Sequence, residues 1–132
     1  MMSDPKIGRE RYVNLGTFRR SGKEVRTPVW IANGESGGES VLYIYTNRRS
    51  GKVKRIRANG RVRLAPCDAR GGLRGDWLDA RARMIDDPAE AERGFAAIIA
   101  KYGWQMQLAL FASRFTGRYA DRTIIELCLD RN

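Results

Sequence analysis

The stretch that decides the fold runs from an apolar strand into a short basic helix: Val41-Leu42-Tyr43-Ile44-Tyr45-Thr46-Asn47-Arg48-Arg49-Ser50-Gly51-Lys52-Val53-Lys54-Arg55-Ile56. The alternation over residues 41–45 predicts a strand. Ser50 is a typical N-cap residue, and Val53 and Ile56 are spaced to share one helix face. The start of a helix attracts an anion, and Lys52 in the first turn adds a positive charge. The stretch therefore predicts a phosphate-binding turn, with a solvated basic face or a nucleic-acid patch as the alternatives.

Composition restricts the possible classes of function. A chain of 132 residues fits a single domain over 1–132, with residues 1–8 expected as a loose or weakly helical tail. The net charge of +10 favours anionic partners, namely phosphate, polycarboxylate or nucleic acid. The chain has no histidine and only two cysteines, so we expect neither a His-based triad nor a metal site. No apolar run reaches the ~18–20 residues of a membrane span, and we find no signal peptide, so we expect a cytoplasmic protein without a membrane partner.

Further strands flank the central stretch on both sides. Alternating hydrophobicity predicts strands over 11–18, 25–32, 41–46, 61–67, 76–85 and 123–129, with loops over 33–40 and 68–75. Pro28 indicates an edge strand or a bulge. Asp87 and Pro88 begin a helix that Gly103 ends, and a looser helical pattern covers 104–115. Six strands, with a short helix after the third and two helices before the last, predict a mainly β (α+β) antiparallel barrel with its helices outside.

The same residues resemble a known family. Tyr45-Thr46-Asn47, Ser50-x-Lys52, Ile56, Asn59, Arg61-Val62 and Leu64 resemble the flavin-phosphate segment of the pyridoxamine 5′-phosphate oxidase-like split β-barrel proteins. The upstream run Arg26-Thr27-Pro28-Val29-Trp30-Ile31 resembles the strand that lines the flavin ring in that family. More narrowly, the blocks 27–30, 51–56 and 64–68 resemble the branch of probable coenzyme F420 (deazaflavin) dependent oxidoreductases. The fold that the resemblance implies is a six-stranded split β-barrel of the FMN-binding type.

The resemblance also implies a function and a site. It implies an oxidoreductase that transfers a hydride between coenzyme F420 or FMN and a small organic substrate, working as a homodimer with a cofactor at each end of the shared interface. The implied cofactor-binding residues are Arg26, Thr27, Pro28, Val29, Trp30 and Ile31 along the ring, Tyr45 and Thr46 at the strand end, and Ser50, Gly51 and Lys52 on the phosphate. Gly51 replaces the arginine of many flavin-binding members, which favours F420 over FMN.

The choice between the two cofactors depends on the tail. The F420 tail carries glutamates, and the basic residues around the turn provide partners for those carboxylates: Arg48, Arg49, Lys54, Arg55 and Arg57. The alternative is that these residues only solubilise the helix. Asp68, Asp76 and Asp79 lie near strand ends, but lone carboxylates there are usually solvated or ion-paired. The sequence therefore names neither a catalytic residue nor the physiological substrate.

Two other functions stay open from the sequence. One is a basic β-barrel that binds nucleic acid, supported by the net charge and by Arg57, Arg61 and Arg63 near two tyrosines. No glycine-aromatic RNA signature accompanies these arginines, so nucleic acid is the less favoured partner. The other is a protein that binds the cofactor without turning it over.

Overall fold

The computed structural model describes residues 5–105, 108 and 121–130. The elements are a 3₁₀ helix (Lys6–Arg9), β1 (Tyr12–Phe18), β2 (Glu24–Val29), β3 (Ile31–Ser36), β4 (Glu39–Asn47), α1 (Gly51–Ala58), β5 (Arg61–Cys67), β6 (Leu78–Met84), α2 (Pro88–Tyr102) and β7 (Arg122–Leu129). Ile7 in the 3₁₀ helix is buried, so this part of the expected tail packs against the domain. The predicted second helix over 104–115 lies almost entirely outside the described residues.

The strands form one antiparallel sheet in the order β2-β1-β5-β6-β7-β4-β3. The sheet is not closed, and its two edge strands, β2 and β3, follow each other directly in the chain. The predicted mainly β antiparallel fold is confirmed. The predicted number of six strands is wrong, because the run over 25–32 forms two strands, and α1 therefore follows the fourth strand.

The division between β2 and β3 falls at Trp30. Val29 pairs with Val13 of β1, whereas Ile31 pairs with Ile44 of β4. Two residues on either side of Trp30 therefore belong to opposite edges of the sheet. Pro28 lies on the edge strand β2, as its missing N–H predicts. The barrel is therefore split at Trp30.

The predicted loop over 33–40 is also wrong. Strands β3 and β4 continue through most of it and are joined by Gly37 and Gly38, whose φ angles of 58° and 81° suit a two-residue hairpin turn. Gly34 lies within β3, where a Cβ atom would come 2.0 Å from Cε2 of Tyr43. A glycine at this position lets the Tyr43 ring lie across the neighbouring strand.

Two apolar clusters lie on opposite faces of the sheet. Inside the barrel, Leu15, Ile44 and Leu64 are fully buried, and α1 adds Val53 and Ile56 to this cluster. On the other face, Ile98 and Tyr102 of α2 are buried in a second cluster. Helix α1 thus extends the interior cluster of the barrel, and α2 covers the outside of the sheet.

The ends of α2 follow the sequence prediction. Oδ2 of Asp87 accepts the Glu90 N–H at 3.0 Å, Pro88 occupies the first turn, and the helix ends at Gly103 with a φ of 55°. This side-chain cap satisfies one of the N–H groups that every helix start leaves unpaired. No helix among the described residues has both the length and the apolarity needed to cross a bilayer.

Candidate functional site

Ser50 precedes the first turn of α1 in the extended conformation typical of an N-cap residue, with φ −67° and ψ 153°. Its position therefore confirms the predicted helix start. Its hydroxyl, however, makes no cap hydrogen bond, and Oγ is buried without a hydrogen-bond partner among residues 5–105, 108 and 121–130. A buried polar atom in this state costs about 1–3 kcal/mol, and a bound ligand would recover that cost.

Two basic residues of α1, Lys52 and Arg55, follow Ser50 closely in the sequence. Lys52 is half-buried, and burial followed by the charge of Arg55 lowers the pKa of its ammonium. Arg55 donates from Nε to Oγ1 of Thr17 at 2.6 Å. Within the described part of the chain, neither side chain pairs with a carboxylate. Two neighbouring cations without a counter-charge favour an anionic ligand.

Gly51 makes room for Arg55. A Cβ atom on Gly51 would lie 2.7 Å from Nη1 of Arg55, so the arginine folds back over the first turn of α1. The four-residue spacing of these two positions puts them on one helix face and is visible in the sequence. Thr17 holds the guanidinium from β1, and this contact has no local sequence signal.

The two predicted residues at the end of β4 face opposite ways. Thr46 is buried, pairs with Thr123 and shares its face with Ile44, which packs in the cluster that includes α1. Tyr45 lies on the other face, where its ring meets Phe95 edge-on at 6.2 Å. Thr46 is therefore on the α1 side of the sheet, and Tyr45 packs against α2.

The predicted ring-lining run divides between the two edge strands and the Trp30 junction. The side chains of Val29 and Ile31 are buried in the barrel core, so neither side chain is available to line a cofactor ring. Thr27 is half-buried opposite Leu15, and Pro28 is exposed on the other face. Trp30 packs with the cluster around α2. The structure thus brings Ser50, Gly51 and Lys52 together and spreads the ring-lining residues over both faces.

Arg26 already has partners on the outer face. The Glu24 carboxylate accepts hydrogen bonds from Arg26 at 2.7 Å and from Arg63 at 2.7 and 2.8 Å. Both guanidinium groups also lie over the Trp77 ring, at 4.6 and 4.4 Å from its centroid. The carboxylate occupies the space above Gly16, where a Cβ atom would be 2.4 Å from Oε2 of Glu24. Glu24 and Trp77 were not singled out from the sequence.

This cluster predicts an acid-sensitive contribution to stability. The hydrogen bond from Arg63 holds the pKa of Glu24 below its ordinary value of 4.5. The folded pKa is the lower one, so the stabilisation is complete above the unfolded value and is lost as the pH falls through the folded value. We expect Glu24→Gln to lower the free energy of unfolding by about 1–2 kcal/mol at neutral pH and to flatten its acid dependence.

Urea unfolding at neutral and acid pH measures this effect. Glu92→Gln is the matched control, because Glu92 is an exposed glutamate on α2. An acid dependence of Glu24→Gln equal to that of the unmodified protein would show that the cluster does not carry this stabilisation.

The basic residues around α1 are only partly available. Arg49 pairs with Asp121 at 3.3 Å and Arg57 with Asp86 at 3.1 Å, whereas Arg48 and Lys54 are exposed. A further basic cleft of about 300 Å³ lies by the turn between β1 and β2, lined by Phe18, Arg19, Arg20, Gly22, Asn59 and Arg61. Burial, followed by the charge of Arg19, lowers the pKa of Arg55, so one side chain of this cleft interacts with α1.

Asp68, one of the three candidate aspartates, is engaged by backbone N–H groups of its own turn. Asp68 accepts backbone N–H groups of Arg70 and Gly72 at 2.9 and 2.8 Å, and these bonds lower its pKa. Asp68 therefore stays ionised near neutral pH and stabilises a turn. The described residues contain no cluster of three or more metal-ligating side chains.

Comparison with known proteins identifies the family. The family model of pyridoxamine 5′-phosphate oxidase matches residues 4–130, nearly the whole chain. The chain belongs to this family. A search of curated proteins found no match.

Solved structures of the family's split-barrel type share the fold at low sequence identity. An F420 reductase is 19% identical, with a TM-score of 0.58 over 99% of this chain and 96% of that one. An FAD-binding protein from Mesorhizobium loti is 15% identical (TM-score 0.59; 95% and 85% covered). HutZ, the heme storage protein of Vibrio cholerae, is also 15% identical (TM-score 0.61; 96% and 87% covered). The same fold thus accompanies both redox cofactors and heme in these proteins.

Proposed function

We propose that the start of α1 binds the phosphate of coenzyme F420 or FMN. The chain would then act as a cytoplasmic, homodimeric oxidoreductase that transfers a hydride between this cofactor and a small organic substrate. The observation that carries the proposal is the buried, unpartnered hydroxyl of Ser50 at the start of a helix whose first turn holds Lys52. Membership of the pyridoxamine 5′-phosphate oxidase family supports it.

The donors at this position suit a phosphate. A phosphate oxygen accepts from a hydroxyl, an ammonium and the free N–H groups of a first helical turn, which are the donors that Ser50, Lys52 and α1 offer. Arg55 adds a second positive charge from the next turn of the helix. The bound cofactor supplies the hydride chemistry, while these side chains fix its position and balance its charge.

The tail of the cofactor distinguishes the two candidates. FMN ends at its phosphate, whereas F420 continues through a phosphodiester into several glutamates. The cleft contains Arg19 and Arg20, and the charge of Arg19 acts on Arg55. It is thus a reasonable path for a polycarboxylate, and we favour F420 for this reason.

Titration of the purified protein with FMN and with F420, followed by absorbance and fluorescence, tests the proposal. We expect F420 to bind more tightly, with the advantage reduced by about 0.5 M salt and by removal of the glutamates, because exposed ion pairs are screened. Equal affinities for F420 with and without its glutamates would exclude a role for the basic cleft. Failure to bind either cofactor would contradict the proposed function.

Nucleic acid is the alternative partner that we favour less. The arginines that supported it hold carboxylates, namely Arg57 with Asp86, Arg61 with Asp130 and Arg63 with Glu24. Each of these three arginines therefore already has a carboxylate partner within the chain. A protein that binds the cofactor without turnover is distinguished by a steady-state assay with reduced F420.

A further inference from the structure

The end of α2 contacts the chain at the junction between β2 and β3. The Ile31 N–H donates to the Tyr102 hydroxyl at 2.9 Å, and this hydroxyl donates to the Arg11 carbonyl at 2.8 Å. The Trp30 indole stacks on the Tyr102 ring with a centroid distance of 4.6 Å and an interplanar angle of 11°. Tyr102 is 2% exposed, so this contact is part of the packed interior.

Lys101 contacts the same junction from the neighbouring position. Its ammonium donates to the carbonyls of Gly8 at 2.7 Å and of Glu10 and Ile31 at 2.5 Å. An ammonium has three N–H groups, so one side chain joins three separate backbone positions. Lys101 and Tyr102 together satisfy both the N–H and the C=O of Ile31.

These contacts occur at an open edge of the sheet. Ile31 lies opposite Ile44 of β4. In an antiparallel ladder, the backbone groups of alternate residues point away from the neighbouring strand. The N–H and C=O of Ile31 contact α2, so they belong to the outward-pointing set that an edge strand leaves unpaired. The geometry of the Trp30 junction therefore depends on α2 as well as on the sheet.

We propose that Lys101 and Tyr102 are positioning residues for the cofactor. They hold the Trp30–Ile31 junction, and through it the run over 26–31 that would line the cofactor ring. This inference rests on the proposed function. Helix α2 carries none of the predicted cofactor-binding residues. According to this inference, it nevertheless controls the backbone of the predicted ring-lining run over 26–31. A purely structural role would instead change stability and leave cofactor affinity unaltered.

The test uses Tyr102→Phe, which keeps the ring for stacking and removes only the hydroxyl. Tyr43→Phe is the matched control, because its hydroxyl donates to the Glu35 carbonyl at 3.3 Å elsewhere under α2. We expect Tyr102→Phe to speed hydrogen exchange of the Ile31 amide about tenfold or more. We also expect it to weaken F420 or FMN binding about three- to tenfold, whereas Tyr43→Phe changes neither. Lys101→Met provides the second variant if Tyr102→Phe does not fold.

Different outcomes separate this inference from the proposed function. Faster Ile31 exchange with unchanged cofactor affinity overturns the positioning role, and the proposed function then stands if Lys52→Ala still weakens binding. Equal weakening by Tyr43→Phe also overturns the positioning role, because the effect would be a general loosening of α2. If the unmodified protein binds neither cofactor, both the proposed function and the positioning role fail.

Discussion

Replacing Lys52 by alanine is expected to raise the dissociation constant for the cofactor about ten- to a hundredfold, corresponding to about 1.5–3 kcal/mol for one charge-assisted hydrogen bond. Lys52 is half-buried and lies two residues after Ser50, whose hydroxyl has no hydrogen-bond partner among the described residues. Burial and the charge of Arg55 lower the pKa of its ammonium, so the site disfavours the charge until an anion arrives. A bound phosphate would give this ammonium a counter-charge, so we expect its removal to weaken cofactor binding.

Lys54→Ala is the control for this experiment. Lys54 lies on the same helix and changes the net charge equally, but it is exposed. Fluorescence titration or calorimetry at one ionic strength measures both variants. A dissociation constant unaffected by Lys52→Ala, or affected equally by Lys54→Ala, would remove Lys52 from the binding site and leave only a general electrostatic effect.

Replacing Ile98 by alanine is expected to lower the free energy of unfolding by about 2–5 kcal/mol, the usual cost of emptying a buried aliphatic site. Ile98 is 0% exposed at the centre of α2, in the cluster that contains Tyr43 and Ile124. The same helix ends in the two residues that hold the Trp30 junction. The Ile98→Ala substitution should therefore loosen the packing of α2 on the face formed by β3, β4 and β7.

Ile99→Ala makes the same chemical change one position along, where the side chain is only half-buried. Urea unfolding followed by far-UV circular dichroism measures both variants. We expect Ile99→Ala to lower the free energy of unfolding by less than half as much as Ile98→Ala does. Equal losses would mean that α2 packs on the sheet through a different face.

Local patterns were sufficient for most of the elements. Asp87, Pro88 and Gly103 mark α2 because capping depends on residues next to each other in the chain. Ser50 and the spacing of Val53 and Ile56 mark α1 for the same reason. The antiparallel α+β class then followed from the number and order of alternating segments.

The break at Trp30 was not predictable in this way. Val29 and Ile31 both face the barrel interior, so the inward and outward alternation continues without interruption. Only the hydrogen-bonding partner changes, from β1 to β4, and side-chain periodicity carries no information about partners. Glycine is rare in strands, so the sequence predicts a loop at Gly34, whereas in the structure Gly34 accommodates the ring of Tyr43 within β3.

One part of the candidate site was likewise predictable from local sequence, and another part was not. Ser50, Gly51 and Lys52 are contiguous, so the sequence alone placed them together. Contacts across the fold supply the rest, such as Thr17 with Arg55 and Tyr102 with Ile31. These pairs are distant in the sequence and have no local signature.

The position of β7 has a consequence for synthesis of the chain. It lies between β6 and β4 in the middle of the sheet, although it follows both of them along the chain. Until the ribosome has released Arg122–Leu129, β4 and β6 each present an unpaired edge, and pairs such as Thr46 with Thr123 cannot form. Such distant pairings give a high contact order, so the nascent barrel should fold late and slowly, and a chaperone that shields strand edges should raise its yield.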